Sequence, residues 1–196
     1  NPLTPMKLGI QQLLRVYDPT NPESEKKLQQ VAQSMIEQID SLTKIANEFS
    51  NFAKMPQENK IELDLLPLLN NVIDFFNQDA KADVILESKL KKLIVKADKD
   101  QMVRLFNNLI KNAIQSIPPE QKGLITIKLS EANTFYCIEI QDNGSGIPQS
   151  MRPTIFVPYF TTKSTGTGLG LAMVKQIVEH HGGTIYFETK ESVGTS

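Results

Sequence analysis

The 196-residue sequence holds one cysteine, Cys137, so no disulfide can close within it, and its cysteine usage suits a reducing compartment. It has almost no net charge. The 21 Lys and Arg against 22 Asp and Glu leave −1, which gives no electrostatic case for nucleic acid or an anionic membrane as partner. No apolar run is long enough to cross a bilayer, and no stretch has the order of a signal peptide. Internal repeats and low-complexity segments are absent as well. What is present is an ordinary globular composition, 40% hydrophobic and 22% charged, enough for one large domain or two small ones. Cys137 lies in a strand pattern and reads as core packing.

The first third is helical in pattern. Leu3, Met6, Ile10, Leu13 and Tyr17 recur in steps of three and four, which predicts an amphipathic helix over 1–17 with a narrow apolar seam. Residues 18–22 break it, and Asn21-Pro22-Glu23 is a good helix start. A long helix to about 53 follows, with Leu28, Met35, Leu42 and Phe49 every seven residues and Val31, Ile45 and Phe52 beside them. Two helices in a hairpin cannot bury such seams by themselves. Pairing with a second copy would make a four-helix bundle, so a homodimer is expected; the alternative is packing on the rest of the same chain.

Residues 54–60, with Pro56, read as a linker between a unit at 1–55 and a second at 60–196. The second opens with alternating apolar residues at 61–65, then a helix with Pro67 in its first turn, reaching about 76. Residues 84–86 and 93–95 read as a pair of short strands. Asp98 or Asp100 caps a helix over 101–117, ended by Pro118-Pro119. A hairpin is expected from 124–129 and 135–140, a helix to about 181 stopped by Gly182-Gly183, and a strand at 184–189. The fold class expected is α+β: a helical hairpin, then an α/β sandwich with helices on one side of a largely antiparallel sheet.

Two glycine clusters stand out. The strand at 135–140 runs into Asp142-Asn143-Gly144-Ser145-Gly146, where glycines let the backbone come close to a ligand. Gly166-Thr167-Gly168-Leu169-Gly170 opens a helical pattern, leaving amide N–H groups to meet phosphate with the helix dipole behind them. Upstream, Asn108 and Asn112 stand four apart and share one helix face. Asparagine is a mediocre helix former, so the pair marks either a ligand site or a solvated face bonded to a neighbouring loop.

At these residues the chain resembles the sensor histidine kinases. Asn108-Leu109-Ile110-Lys111-Asn112-Ala113, then Asp142-x-Gly144-x-Gly146, then 156–160, then Gly166-x-Gly168-x-Gly170 are similar, in order and spacing, to that family's four nucleotide-binding boxes. Their ATPase domain belongs to the superfamily shared with gyrase, heat-shock chaperones and mismatch-repair ATPases. The resemblance implies that Asp142 accepts from the adenine amine, for which a carboxylate is a sound partner; the alternative is that it caps its own turn. It implies ATP as cofactor, with Asn112 ligating Mg²⁺ through its amide oxygen and Asn108 helping to place metal or phosphate. Hydrolytic relatives carry a glutamate base where Asn108 stands, and an amide takes up no proton, which favours transfer to histidine over hydrolysis.

By the same resemblance, Gly144 and Gly146 pass the base and ribose, and Gly166, Gly168, Leu169 and Gly170 wrap the phosphates. Residues 150–165 form a mobile lid. Phe156 and Phe160 anchor it, or are plain core residues. Lys163 reaches for the γ-phosphate or stays solvated, and Lys111 is a weaker candidate. Where many members carry a basic residue three positions after the metal asparagine, this chain has Gln115. Asn1-Pro2-Leu3-Thr4-Pro5 resembles the tail of the family's acceptor motif, which places the acceptor histidine and its acidic neighbour before Asn1. Asn1 itself matches the residue that orients water for dephosphorylating the response regulator. His180 and His181, the only histidines, fall outside that motif.

The final family strand follows a Gly-Thr pair, so a C-terminus cut short at Gly194-Thr195-Ser196 is expected. The reading is therefore a kinase core, cytoplasmic or the cytoplasmic part of an inner-membrane sensor, which moves phosphate from ATP to histidine and then to a response-regulator receiver domain. The alternatives are an inactive dimeric scaffold of the same fold and a hydrolytic ATPase.

Overall fold

The computed structural model describes residues 7–11, 14, 22–53, 59–78, 81–132, 135–163 and 166–196. They fall into two compact units, Asn1–Met55 with Lys163–Thr167, and Pro56–Thr162 with Gly168–Ser196. Asn1, Leu3, Met6, Leu13, Tyr17, Asn21 and Pro56 lie outside the described residues.

In the first unit, residues 7–11 are helical and the long helix α1 spans Pro22–Ala53, as the heptad spacing predicts. Val31, Met35 and Leu42 of its seam are half-buried, while Leu28, Ile45 and Phe49 stay exposed. Among the described residues no helix is long and apolar enough to cross a membrane.

The second unit opens with β1 (Ile61–Asp64) and α2 (Leu65–Asn77). The strand ends one residue earlier than its alternation suggests because Asp64 becomes a helix cap. Its Oδ1 accepts from the N–H of Leu66 at 3.2 Å and of Leu93 at 3.0 Å. Then come β2 (Ala82–Ser88), β3 (Ile94–Ala97), α3 (Lys99–Ser116), β4 (Gly123–Ala132) and β5 (Phe135–Asp142). A 3₁₀ turn at Arg152–Thr154, α4 (Gly170–His180), β6 (Thr189–Lys190) and β7 (Gly194–Thr195) complete it.

The main sheet has the order β2-β4-β5-β7-β6, while β1 and β3 form a separate antiparallel pair. Two expectations are corrected here. The segments at 84–86 and 93–95 do not pair with each other: β2 runs parallel to β4, and β3 joins β1. The strand expected at 184–189 shrinks to Thr189–Lys190. Its neighbour β7 has two residues, and Glu188 and Ser196 exchange hydrogen bonds beside that pair. A strand exists only as far as its partner does.

One face of the sheet is packed and the other is open. On β4, Ile125, Ile127 and Leu129 are buried, whereas the residues between them are half-buried or exposed. The core against that face comes from α2 (Leu68, Leu69, Val72), α3 (Met102, Phe106, Ile110) and α4 (Val174, Ile177). Cys137 sits on the other face, opposite Ser130, half-buried, so it is not part of this core.

The start of α3 ties three segments together. The Asp98 carboxylate accepts from Gln101 N–H at 3.0 Å and Asn59 N–H at 2.9 Å, and its own N–H donates to His181 Nε2 at 3.1 Å. His181 Nδ1 lies 2.7 Å from Ile177 O, which places the ring hydrogen there. Burial pushes the Asp98 carboxyl up, but the N–H groups of Gln101, Asn59 and Asp100, with His181, outweigh it and hold it below 3.8. A carboxyl held low in the folded state adds stability above its unfolded value, and that stability is lost as pH falls through the folded one. Asp98→Ala should cost about 1–2 kcal/mol in chemical denaturation at neutral pH. Its deficit against wild type should begin to shrink only below pH 3.8.

Candidate functional site

The C-terminal half of α3 presents Asn108, Asn112 and Ser116 at four-residue spacing, so all three lie along one face. That face meets the end of β5 and the start of α4. Asn108 Nδ2 donates to Arg104 O one turn back at 2.8 Å, which turns Oδ1 toward α4. A Cβ built on Gly170 would lie 2.8 Å from Asn108 Oδ1 and 3.9 Å from Asn112 Nδ2. Both asparagines therefore stand beside the first residue of α4. That helix begins at Leu169, which is 1% exposed and provides no side-chain cap. Its first N–H groups have no intrahelical acceptor, and the helix dipole makes them a favourable place for anionic oxygen.

At the other end of the face, Ser116 supports the loop after β5. Ser145 N–H donates to Ser116 O at 3.0 Å. The Ser116 hydroxyl lies 3.1 Å from Asp142 Oδ1 and 2.7 Å from Ala113 O, with one hydrogen to share between them. Gly144 is pressed so close that an added Cβ would fall 2.0 Å from Ser116 Oγ. Here the glycine is required by lack of room, not by its backbone angles.

Asp142 is half-buried at the end of β5, and its Oδ1 accepts from Gly144 N–H at 2.8 Å. It does cap its own turn, as one of the alternatives read from the sequence held. Burial pushes its carboxyl up from 3.8; donation from the N–H of Gly144, the Ser116 hydroxyl and the N–H of Thr195 opposes this without cancelling it. Asn143 pins the loop from behind, with Leu124 N–H donating to its Oδ1 at 2.8 Å and its Nδ2 donating to Lys122 O at 3.1 Å.

The segment expected as a lid, 150–165, contains the 3₁₀ turn and the buried Ile155. Phe156 packs edge-on against Phe187 at 6.1 Å, and Phe160 is half-buried. Tyr159 N–H donates to Gly168 O at 3.0 Å, and both residues have positive φ, 66° and 70°. A side chain on Gly168 would run into the backbone of Tyr159 at 2.5 Å. Lys163 and Gly166 belong to the segment grouped with the first unit, where Gly166 N–H donates to Lys163 O at 3.1 Å. Lys111 and Gln115 are exposed. Asn1 lies outside the described residues.

So Asn108 and Asn112 stand beside Gly170 at one end of the α3 face, and Ser116 meets Asp142 and Gly144 at the other; the ground between those ends is the candidate recess. Ser116 was missed, although it continues the asparagine face by one more turn. Thr195 was missed because only folding carries it to Asp142.

Residues 97–196 match the model of the histidine kinase-, DNA gyrase B- and HSP90-like ATPases, and the chain belongs to that family. Within it, the chain is 35% identical over 199 residues to the sensor histidine kinase ZraS of Escherichia coli K12, covering all of this chain and 41% of that protein. It thus spans about two fifths of the length of that relative. The catalytic domain of the histidine kinase ThkA is 31% identical with a TM-score of 0.62, over 70% of this chain and 91% of that one. ThkA in complex with the response regulator protein TrrA gives a TM-score of 0.71 at 25% identity, over all of this chain and 56% of that one. What this sequence encodes is thus a histidine kinase ATPase domain, preceded by a long helix.

Because Asp142 binds its proton more readily folded than unfolded, its contribution to stability is fully present below 3.8 and is lost as pH rises through the raised value. A carbon-13 NMR titration of its carboxyl should show a midpoint above 3.8. Ser116→Ala should move that midpoint further up, since a bond donated to the charged form is removed. A midpoint unmoved by the substitution would mean that the hydroxyl serves Ala113 O instead.

Proposed function

We propose that the recess binds ATP with Mg²⁺, and that the chain is the catalytic core of a sensor histidine kinase that phosphorylates a histidine and passes the phosphoryl group to a response regulator. The observation that carries this is the placing of a half-buried carboxylate, Asp142, and an uncapped helix start, at Leu169 and Gly170, on the same asparagine-bearing face of α3. A purine amine needs an acceptor held out of water, and a polyphosphate needs N–H groups aimed at it. Gly144 and Gly146 leave room beside the base; Gly166, Gly168, Leu169 and Gly170 carry the chain past the phosphates. Phe160 and Lys163 belong to the closing lid in this reading.

The residues present suit magnesium. Among the described residues no three His, Cys, Asp or Glu side chains gather to hold an ion. A metal here would take one neutral oxygen from Asn112 and the rest from phosphate and water, which is the manner of a hard, reluctantly dehydrated cation. When bound, the ion would neutralise charge on the transferring phosphate. Asn108 is an amide turned toward α4; by the family resemblance it takes the position of a hydrolase's general base, and it accepts no proton.

The rest of the proposal concerns the whole protein. Residues 1–55 form the dimerisation and phosphotransfer hairpin, 60–196 the catalytic domain. A second copy would cover Leu28, Ile45 and Phe49, which are exposed in the single chain, and complete a four-helix bundle. Asn1 would orient the water that dephosphorylates the regulator. His181, clasped between Asp98 and Ile177, is not the acceptor. The complex of ThkA with TrrA supports a response regulator as partner.

The test is calorimetric titration with ATP, with and without Mg²⁺. Asp142→Ala should weaken ATP about 10–100-fold, the scale of a lost hydrogen bond to a charged group. Asn112→Ala should remove most of the gain that Mg²⁺ confers. No binding by the unaltered chain at millimolar ATP would overturn the reading.

A further inference from the structure

Register places three side chains in one row across the sheet: Asp142 of β5 opposite Thr195 of β7, and Thr195 opposite Thr189 of β6. Residues directly opposite one another share a face and interact. Thr189 sits at the far end of that row and is half-buried. Its Oγ1 lies 2.9 Å from Ile147 N, 3.1 Å from Gly194 O and 3.0 Å from Thr195 Oγ1. A hydroxyl has one hydrogen and two lone pairs. Only one assignment makes all three bonds at once: Thr189 donates to Gly194 O and accepts from Ile147 N–H and from the Thr195 hydroxyl.

This saturated hydroxyl joins the two segments that shape Asp142. On one side it holds Ile147, where the loop from Asp142 ends. Gly146 just before it turns at φ 70° against the backbone of Lys190, and Ser192 N–H donates to Ser145 O at 2.8 Å. On the other side it holds β7, whose Thr195 stands directly opposite Asp142. We propose that Thr189 is a positioning residue for base recognition: through Ile147 and Thr195 it fixes the loop and the carboxylate that reads the adenine amine. It touches no ligand. The inference rests on the nucleotide reading of the recess and adds to it the part that holds the acceptor in place.

Thr189→Val keeps the shape and the strand preference but leaves an N–H, a carbonyl and a hydroxyl without their partner. The full chain should bind ATP about tenfold more weakly, and Thr189→Ser should stay within about twofold of wild type. In an Asp142→Asn background the same Val substitution should cost less than about twofold, because the two positions act as one unit. In the nucleotide-free protein, the Asp142 carboxyl carbon signal should move in the Val variant and not in the Ser variant. Wild-type affinity in Thr189→Val, additive losses in the double variant, or an unmoved Asp142 signal would each overturn the assignment. Should the wild-type chain bind no ATP, the nucleotide reading falls, while the Asp142 signal still judges whether Thr189 anchors that carboxylate.

Discussion

The constraint on which the rest depends is the contact between the last turn of α3 and the loop after β5, where Gly144 lies against Ser116 with no room for a side chain. That contact fixes the depth at which the Asp142 carboxylate sits. Any larger residue would lift the loop off the helix, and the carboxylate would return to water. The same helix carries Asn108 and Asn112 toward α4, so one rigid element sets the spacing between the Asp142 end and the Gly170 end of that face. Sites on regular elements hold their geometry better than sites on loops, and here the loop borrows rigidity from the helix.

Much of this was legible in the linear sequence. The cap Asp98, the β4–β5 hairpin and the long α1 follow from local rules of capping, alternation and heptad spacing. So did the asparagine face, because helical periodicity puts residues four apart together whatever the tertiary fold. What escaped was non-local. The parallel pairing of β2 with β4, and of β3 with β1 instead of β2, is set by which helices cover which edge, and no pattern within a strand records it. The strand at 184–189 carries the right alternation, yet its length is decided by β7, a partner it meets only in the folded chain.

The site shows the same division. Asp142, Gly144 and Gly170 announce themselves because acid and glycines recur there in the order and spacing of the family's boxes. Ser116 and Thr189 do not, since small hydroxyl residues are common and their worth lies in what they touch. The family match covers residues 97–196 and so reaches both ends of this arrangement, while the first unit rests on its own seam.

The Tyr159–Gly168 bond makes its two ends unequal in what they tolerate. Both sit in left-handed backbone, a conformation open to glycine and costly for tyrosine. A glycine at 159 would shed that steric cost, whereas any side chain at 168 would take it on and press against the Tyr159 backbone as well.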